Sequence, residues 1–166
     1  MAHVEKLPES KYIVRFPDCD PFNHLNNSRY LDYFINARED HLMKFYGFNI
    51  YKYAKETGLS WVVAENQIAY LRPAMLMEIV VIQTTLLSIG DKEVKVEMKM
   101  WNENKTILKS VLWTTLIHFN LTTQRSEVHS DELKKFFKPL ENQLPDKISF
   151  EQRVEILKGK SSAGIE

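Results

Sequence analysis

The sequence predicts an α+β fold in which one long helix lies against a curved antiparallel sheet. Three observations carry that prediction. From about Asn27 to Phe48, the residues Leu31, Phe34, Ile35, Arg38, Leu42 and Phe45 fall on one stripe at spacings of three, four and seven, which is helical periodicity. Beyond Gly58 the pattern changes to long strand-like runs separated by turn signals. In the clearest of these, Val94, Val96, Met98 and Met100 alternate with Lys95, Glu97 and Lys99, a period of two with one buried face.

The elements follow in order. Tyr12 to Phe16, rich in β-branched and aromatic residues, reads as a short strand, and Pro17 and Pro21 bracket an acidic loop after it. The long helix comes next and, with its aromatic bulk, is expected to be mostly buried; Gly47 closes it, and a shorter helix from Ile50 to Glu56 ends at Gly58. Strands are expected over Ser60–Leu71, stopped by Arg72-Pro73, over Met77–Ile89, ending at Gly90-Asp91, and over Glu93–Trp101. A turn at 102–105 leads into Thr106–Asn120, apolar on both faces and therefore central. Asp131–Phe137 reads as a short helix. The predicted organisation is one domain over 1–140 and a polar tail over 141–166 that frays. A helix on one face of a sheet satisfies the layer rule, and the sheet's edge strands are natural places for a second chain to pair.

At 166 residues the chain is sized for one domain with a sizeable core. Lys+Arg and Asp+Glu both total 22, so there is no basic excess of the kind a nucleic-acid binder shows. The single cysteine, Cys19, excludes an intrachain disulfide and fits a reducing cytoplasm. The first eleven residues have no apolar h-region, and no apolar run approaches the ~20 residues of a membrane span. The expectation is a cytoplasmic protein that binds neither membrane nor nucleic acid.

Chemistry concentrates in one stretch, Asp18-Cys19-Asp20-Pro21-Phe22-Asn23-His24-Leu25-Asn26-Asn27. It holds two carboxylates, an imidazole and three amides, immediately before the long helix. A helix N-terminus supplies unpaired N–H donors that can polarise a carbonyl, and a carboxylate beside it can act as base or nucleophile. A calcium loop is the other device two acids suggest. It fails at Phe22, where an oxygen ligand should stand, and at the missing glycine after Asn23. With no His-x-His or Cys-x-x-Cys, no metal is expected.

The run Arg15-Phe16-Pro17-Asp18-Cys19-Asp20, then His24-Leu25-Asn26-Asn27, Tyr30-Leu31, Phe34 and Ala37-Arg38, resembles the hotdog-fold acyl-CoA thioesterases of the hydroxybenzoyl-CoA thioesterase type. Downstream, Ile68-Ala69-Tyr70-Leu71-Arg72-Pro73-Ala74 is similar to that family's second-strand signature, so the likeness spans about Tyr12 to Leu121. The resemblance implies a hotdog fold, hydrolysis of an acyl thioester without redox, metal or nucleotide cofactor, and a homodimer or homotetramer with sites at subunit interfaces. It puts the catalytic carboxylate on Asp20 and the carbonyl-polarising helix amide near Asn27. The His-x-Asn-Asn portion also resembles acyl-ACP thioesterases, which implies a site role for His24. That branch has an Asn two residues past the Asp, where this chain has Phe22, and a Glu after the second-strand Tyr, where no acid appears around Pro73. The single-Asp arrangement therefore fits better.

Other residues divide between chemistry and packing. Asp18 is expected to bond loop amides, and Asn26 and Asn27 to cap the helix. Cys19 is a poor nucleophile, because the flanking acids raise its pKa. Phe22, Tyr30 and Phe34 are candidates to line an acyl pocket, and Arg72 to meet the phosphates of CoA. Lys92, Lys95 and Lys99 read as a solvated strand face, and Glu65 as a paired or interface acid. Two rivals come from other classes: a non-catalytic acyl-thioester sensor, and a hotdog dehydratase or hydratase relying on His24.

Overall fold

The computed structural model describes residues 4–162; positions 163–166, at the end of the expected tail, lie outside the described residues. Strands β1 (Glu9–Ile13), β2 (Leu59–Tyr70), β3 (Ile79–Ile89), β4 (Glu93–Asn102), β5 (Leu108–Asn120) and β6 (Arg125–Ser126) form one antiparallel sheet in the order β1-β3-β4-β5-β2, with β6 paired to β5. Helix α1 (Tyr30–Tyr46) lies against its inner face. The helices α2 (Ile50–Thr57) and α3 (Asp131–Phe137) close one end, and α4 (Phe150–Ser162) covers the outer face.

Helix α1 starts through a 3₁₀ turn at Asn27–Arg29. The Asn26 side chain caps that turn by accepting from the Ser28 N–H at 3.0 Å. Gly47 ends the helix in the left-handed region (φ 62°), where only a residue lacking Cβ sits without strain. The buried face is Tyr30, Tyr33, Phe34, Ala37 and His41. This corrects the expected stripe, because Ile35 and Phe45 are exposed. The true stripe runs through Phe34 with two tyrosines, a small alanine and a histidine, residues that a template of large aliphatic and phenyl side chains passes over. The inner core pairs these residues with Val80, Ile82, Val96, Met98, Met100, Leu112 and Leu116 of the sheet.

Three further expectations need correction. The first strand ends at Ile13, earlier than expected, because Phe16–Asp18 form a 3₁₀ turn with proline inside it. The segment expected to fray folds instead as α4 through Ser162, seating Phe150, Val154 and Leu157 on Leu87, Leu108, Val111 and Trp113. As a result the outer face of β4 is not solvated. Glu97 is 1% exposed and Lys99 9%. Arg153 of α4 grips the Glu97 carboxylate with two hydrogen bonds of 2.8 Å, and the Trp113 indole N–H adds a third at 2.9 Å. Burial alone would raise the Glu97 pKa. The Arg153 and Trp113 bonds outweigh it and hold the carboxyl below its ordinary value. Glu65, expected to be paired or at an interface, is exposed in the single chain.

Candidate active site

The acidic loop is folded back on itself and pinned to the segment after β2. Asp20 N–H donates to the His24 carbonyl (2.8 Å), Leu25 N–H to the Ala74 carbonyl (2.8 Å), and Leu76 N–H to the Asn23 carbonyl (2.9 Å). Cys19 bridges Leu25, and His24 bridges Met75, as isolated antiparallel pairs. The loop is tight enough that Asn23 and, opposite it, Met77 take positive φ (61° and 63°), a conformation that costs a non-glycine residue energy. The loop therefore holds Asp20 in a set geometry rather than leaving it on a loose tip.

Within that frame the Asp20 carboxylate is half committed. Its Oδ1 accepts from the Phe22 N–H (2.9 Å) and the His24 N–H (3.1 Å), an Asx-type turn. Its Oδ2 has no hydrogen-bond partner among the described residues. The neighbouring acid differs. Asp18 Oδ2 accepts from the Tyr33 hydroxyl (2.7 Å), and the Asp18 carbonyl accepts from the Asn26 N–H (2.9 Å). Burial, with Asp18 adding to it, pushes the Tyr33 phenol up to about 12. Asp18 is thus structural, held by a tyrosine on α1 rather than by loop amides.

The amides at the start of α1 are also unequal. The Ser28 N–H goes to the Asn26 side chain (3.0 Å), and the Arg29 N–H to the Asn26 carbonyl (2.8 Å). Asn26 N–H is spent on Asp18. The Asn27 N–H alone in this group has no partner among the described residues. Tyr70 of β2 donates its hydroxyl to the Asn27 carbonyl at 3.1 Å, fixing the backbone just there. The sequence alone gives Tyr70 no such role, since this contact joins residues 43 positions apart.

The remaining sequence-derived candidates separate by burial. His24 is half-buried, with its ring 6.4 Å from that of Phe22, and Phe22 is 76% exposed. Arg72 is exposed. Tyr30 is buried; its hydroxyl accepts from the Ala74 N–H (3.2 Å), and burial raises its pKa, with Glu78, Tyr70 and Asp20 adding to the shift. Phe34 is 0% exposed in the core, with no surface on which a ligand could lie in this chain. So Asp20, Phe22, His24 and Asn27 share one short stretch, while Tyr30 and Phe34 shape it from beneath. Cys19 is half-buried and its thiol pKa is raised, by burial first and then by Asp18 and Asp20.

A sequence profile of the thioesterase-like superfamily matches residues 14–139. Long-chain acyl-CoA thioesterase FadM of Escherichia coli (strain K12) is 26% identical over 122 residues, covering 74% of this chain and 90% of that protein. Among solved structures, the YbaW probable thioesterase from Escherichia coli superposes with a TM-score of 0.70 at 23% identity, over 81% of this chain and 98% of that one. SAV2348 from Staphylococcus aureus, solved in complex with CoA, superposes with a TM-score of 0.76 at 16% identity, over 92% and 95% of the two chains. The structural likenesses speak to the fold, a hotdog in which the sheet curls around α1. The profile match covers the acidic loop, the long helix and the sheet together, and on that basis the chain belongs to the thioesterase-like superfamily and is a thioester hydrolase.

Proposed function

We propose that this chain hydrolyses acyl-CoA thioesters, with Asp20 as base or nucleophile and the Asn27 amide as the donor to the thioester oxygen. One observation carries the reading. A carboxylate oxygen and a backbone N–H, both without partners among the described residues, stand at the two ends of the same eight-residue stretch, and the neighbouring amides are spent. Asp20 either takes a proton from a water that adds to the thioester carbon, or adds there itself to give an anhydride that water then opens. In both routes the C–S bond breaks, CoA leaves as the thiol, and the acid is released. The negative charge gathered on the carbonyl oxygen falls to the Asn27 N–H at the positive end of α1.

The partners follow from the same geometry. Exposed Phe22 and half-buried His24, two and four residues past Asp20, are the side chains left for the thioester and its apolar chain to meet, and exposed Arg72 suits a phosphate of the carrier. FadM's named substrate class and the CoA in the SAV2348 structure support CoA over an acyl carrier protein. Edge strand β2 carries exposed residues from Val62 to Asn66 on both faces, the signature of a strand awaiting another chain, and α4 occupies the outer sheet face. This supports a homodimer joined along β2. The lone cysteine agrees with a cytoplasmic setting, and no helix among the described residues is long and apolar enough to cross a membrane.

The test is thiol release from a panel of acyl-CoAs and one acyl-ACP, with wild type and Asp20→Asn side by side. Release by wild type that Asp20→Asn loses while remaining folded supports the reading. Acyl-CoA raising the melting temperature with no thiol released by either protein transfers the case to a binding module.

A further inference from the structure

Toward its far end α1 borders a cavity of about 80 Å³ between the helix and the sheet, walled by apolar side chains including Leu42, Phe48, Trp61, Leu86 and Leu116. One cation, Arg38, lines it. The Arg38 Nε is the sole buried side-chain nitrogen or oxygen among the described residues with no hydrogen-bond partner. Glu39 is near enough for its charge to favour the protonated guanidinium, but neither acid beside Arg38 in sequence bonds it among the described residues: Glu39 accepts from the Tyr51 hydroxyl (2.7 Å) and Asp40 from the Tyr12 hydroxyl (2.6 Å). His41 also lines the cavity; an imidazole cannot offset a cation, and both of its ring nitrogens are taken by the hydroxyls of Thr84 (2.7 Å) and Ser10 (2.8 Å).

A buried guanidinium nitrogen left without a hydrogen-bond partner beside mostly apolar walls is a costly arrangement, and it becomes favourable when a carboxylate meets the guanidinium fork. We propose that this cavity binds a short aliphatic carboxylate, or the carboxylate end of a longer chain, with the charged end on Arg38 and the methylenes against the apolar walls. Two sources share that chemistry: a free acid, such as the product of hydrolysis, and the distal carboxylate of an ω-carboxyacyl thioester. Arg38 lies eleven residues past Asn27, roughly 16 Å along the helix axis, so the cavity is distinct from the Asp20 loop. The free-acid source does not depend on the role given to Asp20; the thioester source rests on it.

The experiment measures butanoate and butan-1-ol binding to the full chain by calorimetry, for wild type, Arg38→Gln and Arg38→Lys. Wild type is expected to bind butanoate about tenfold more tightly than butanol, Arg38→Gln to bind the two alike, and Arg38→Lys to keep part of the preference. Equal affinities in wild type, no binding of either compound, or a preference that survives Arg38→Gln would each overturn the proposal. If Arg38→Gln does not fold, the wild-type ratio decides. A second arm compares kcat/KM for ω-carboxyoctanoyl-CoA and octanoyl-CoA. A preference for the former that Arg38→Gln removes assigns the carboxylate to the substrate, and no preference alongside butanoate binding assigns it to the free acid. Failure to hydrolyse either thioester counts against the Asp20 reading, while the calorimetric result still decides whether Arg38 holds a carboxylate.

Discussion

The two ends of α1 are built on opposite principles. At its start, the Asp20 carboxylate has an oxygen to spare, the Asn27 N–H has no partner among the described residues, and Phe22 stands in solvent. At its far end, His41 is bonded on both nitrogens to hydroxyls. Beyond it, His118 meets the Glu127 carbonyl (3.1 Å) and the Tyr53 hydroxyl (3.0 Å). His129 meets the Gly90 carbonyl (2.8 Å) and the Trp61 indole N–H (3.0 Å). These imidazoles pack among Trp61, Tyr53 and each other, with the rings of His118 and His129 4.8 Å apart. A ring with a donor or acceptor on each nitrogen has nothing left to offer a substrate, so this end is scaffold. Arg38 is the exception there, with a buried nitrogen still open to a ligand.

This contrast is open to attack from both sides. The largest expected effect is at the open end: Asp20→Asn should lower kcat at least ~10³-fold, as loss of a reacting group does, with little change in melting temperature. A comparable loss of activity on replacing His118 would erase the distinction between the ends. Next comes Arg153→Met on the outer face. It strands the buried Glu97 carboxylate with Trp113 and the more distant Lys99, which lies 3.9 Å away. Chemical denaturation should show about 3 kcal/mol lost, with activity per folded molecule unchanged.

Acid should act on the closed end. Burial is the main cause holding the His41 pKa down at about 4, against an unfolded value near 6.5. Because the folded state resists protonation, the unfolded chain binds more protons between those values. The stability that neutral His41 confers is complete above about pH 6.5 and is lost as pH falls toward 4, up to about 3 kcal/mol. Denaturation midpoints across that window, for wild type and His41→Gln, check the sign: the variant should be less pH-dependent. Smallest of all, Arg72→Ala should raise KM for acyl-CoA a few-fold at low salt, leave kcat alone, and lose its effect at high salt.

Much of the frame is legible in the sequence because it repeats a period. The helix shows by its spacing, though not the stripe it buries, and β4 by its alternation; the other long strands show by apolar runs between turn signals, and the acidic loop by its proline brackets and chemistry. What stays hidden is contact across distance. Nothing within residues 93–101 says that a later helix covers Glu97 and Lys99, so their alternating charge reads as solvent-facing. Phe150, Val154 and Leu157 do stand at helical spacing, but the Lys, Gly and Ser residues after them suggest fraying. The two groups of the proposed site, Asp20 and Asn27, are picked out by the motif. That Asn26, and not Asn27, takes the cap is not, because capping geometry depends on one dihedral choice within an Asn-Asn pair. The motif position of Phe34 points to a pocket; its complete burial under the sheet is a property of packing that no local pattern carries.

The most direct test of the Asp20–Asn27 site is Asn27→Pro. The preceding Asn26 already has extended backbone (φ −61°, ψ 134°), as a residue before proline must, and proline is well tolerated at the first position of a helix. The substitution therefore deletes one N–H and leaves the start of α1 in place. If that N–H holds the thioester oxygen, kcat against acyl-CoA falls about 10²–10³-fold with an unchanged melting temperature. A variant that is equally stable and hydrolyses thioesters at the wild-type rate would contradict it.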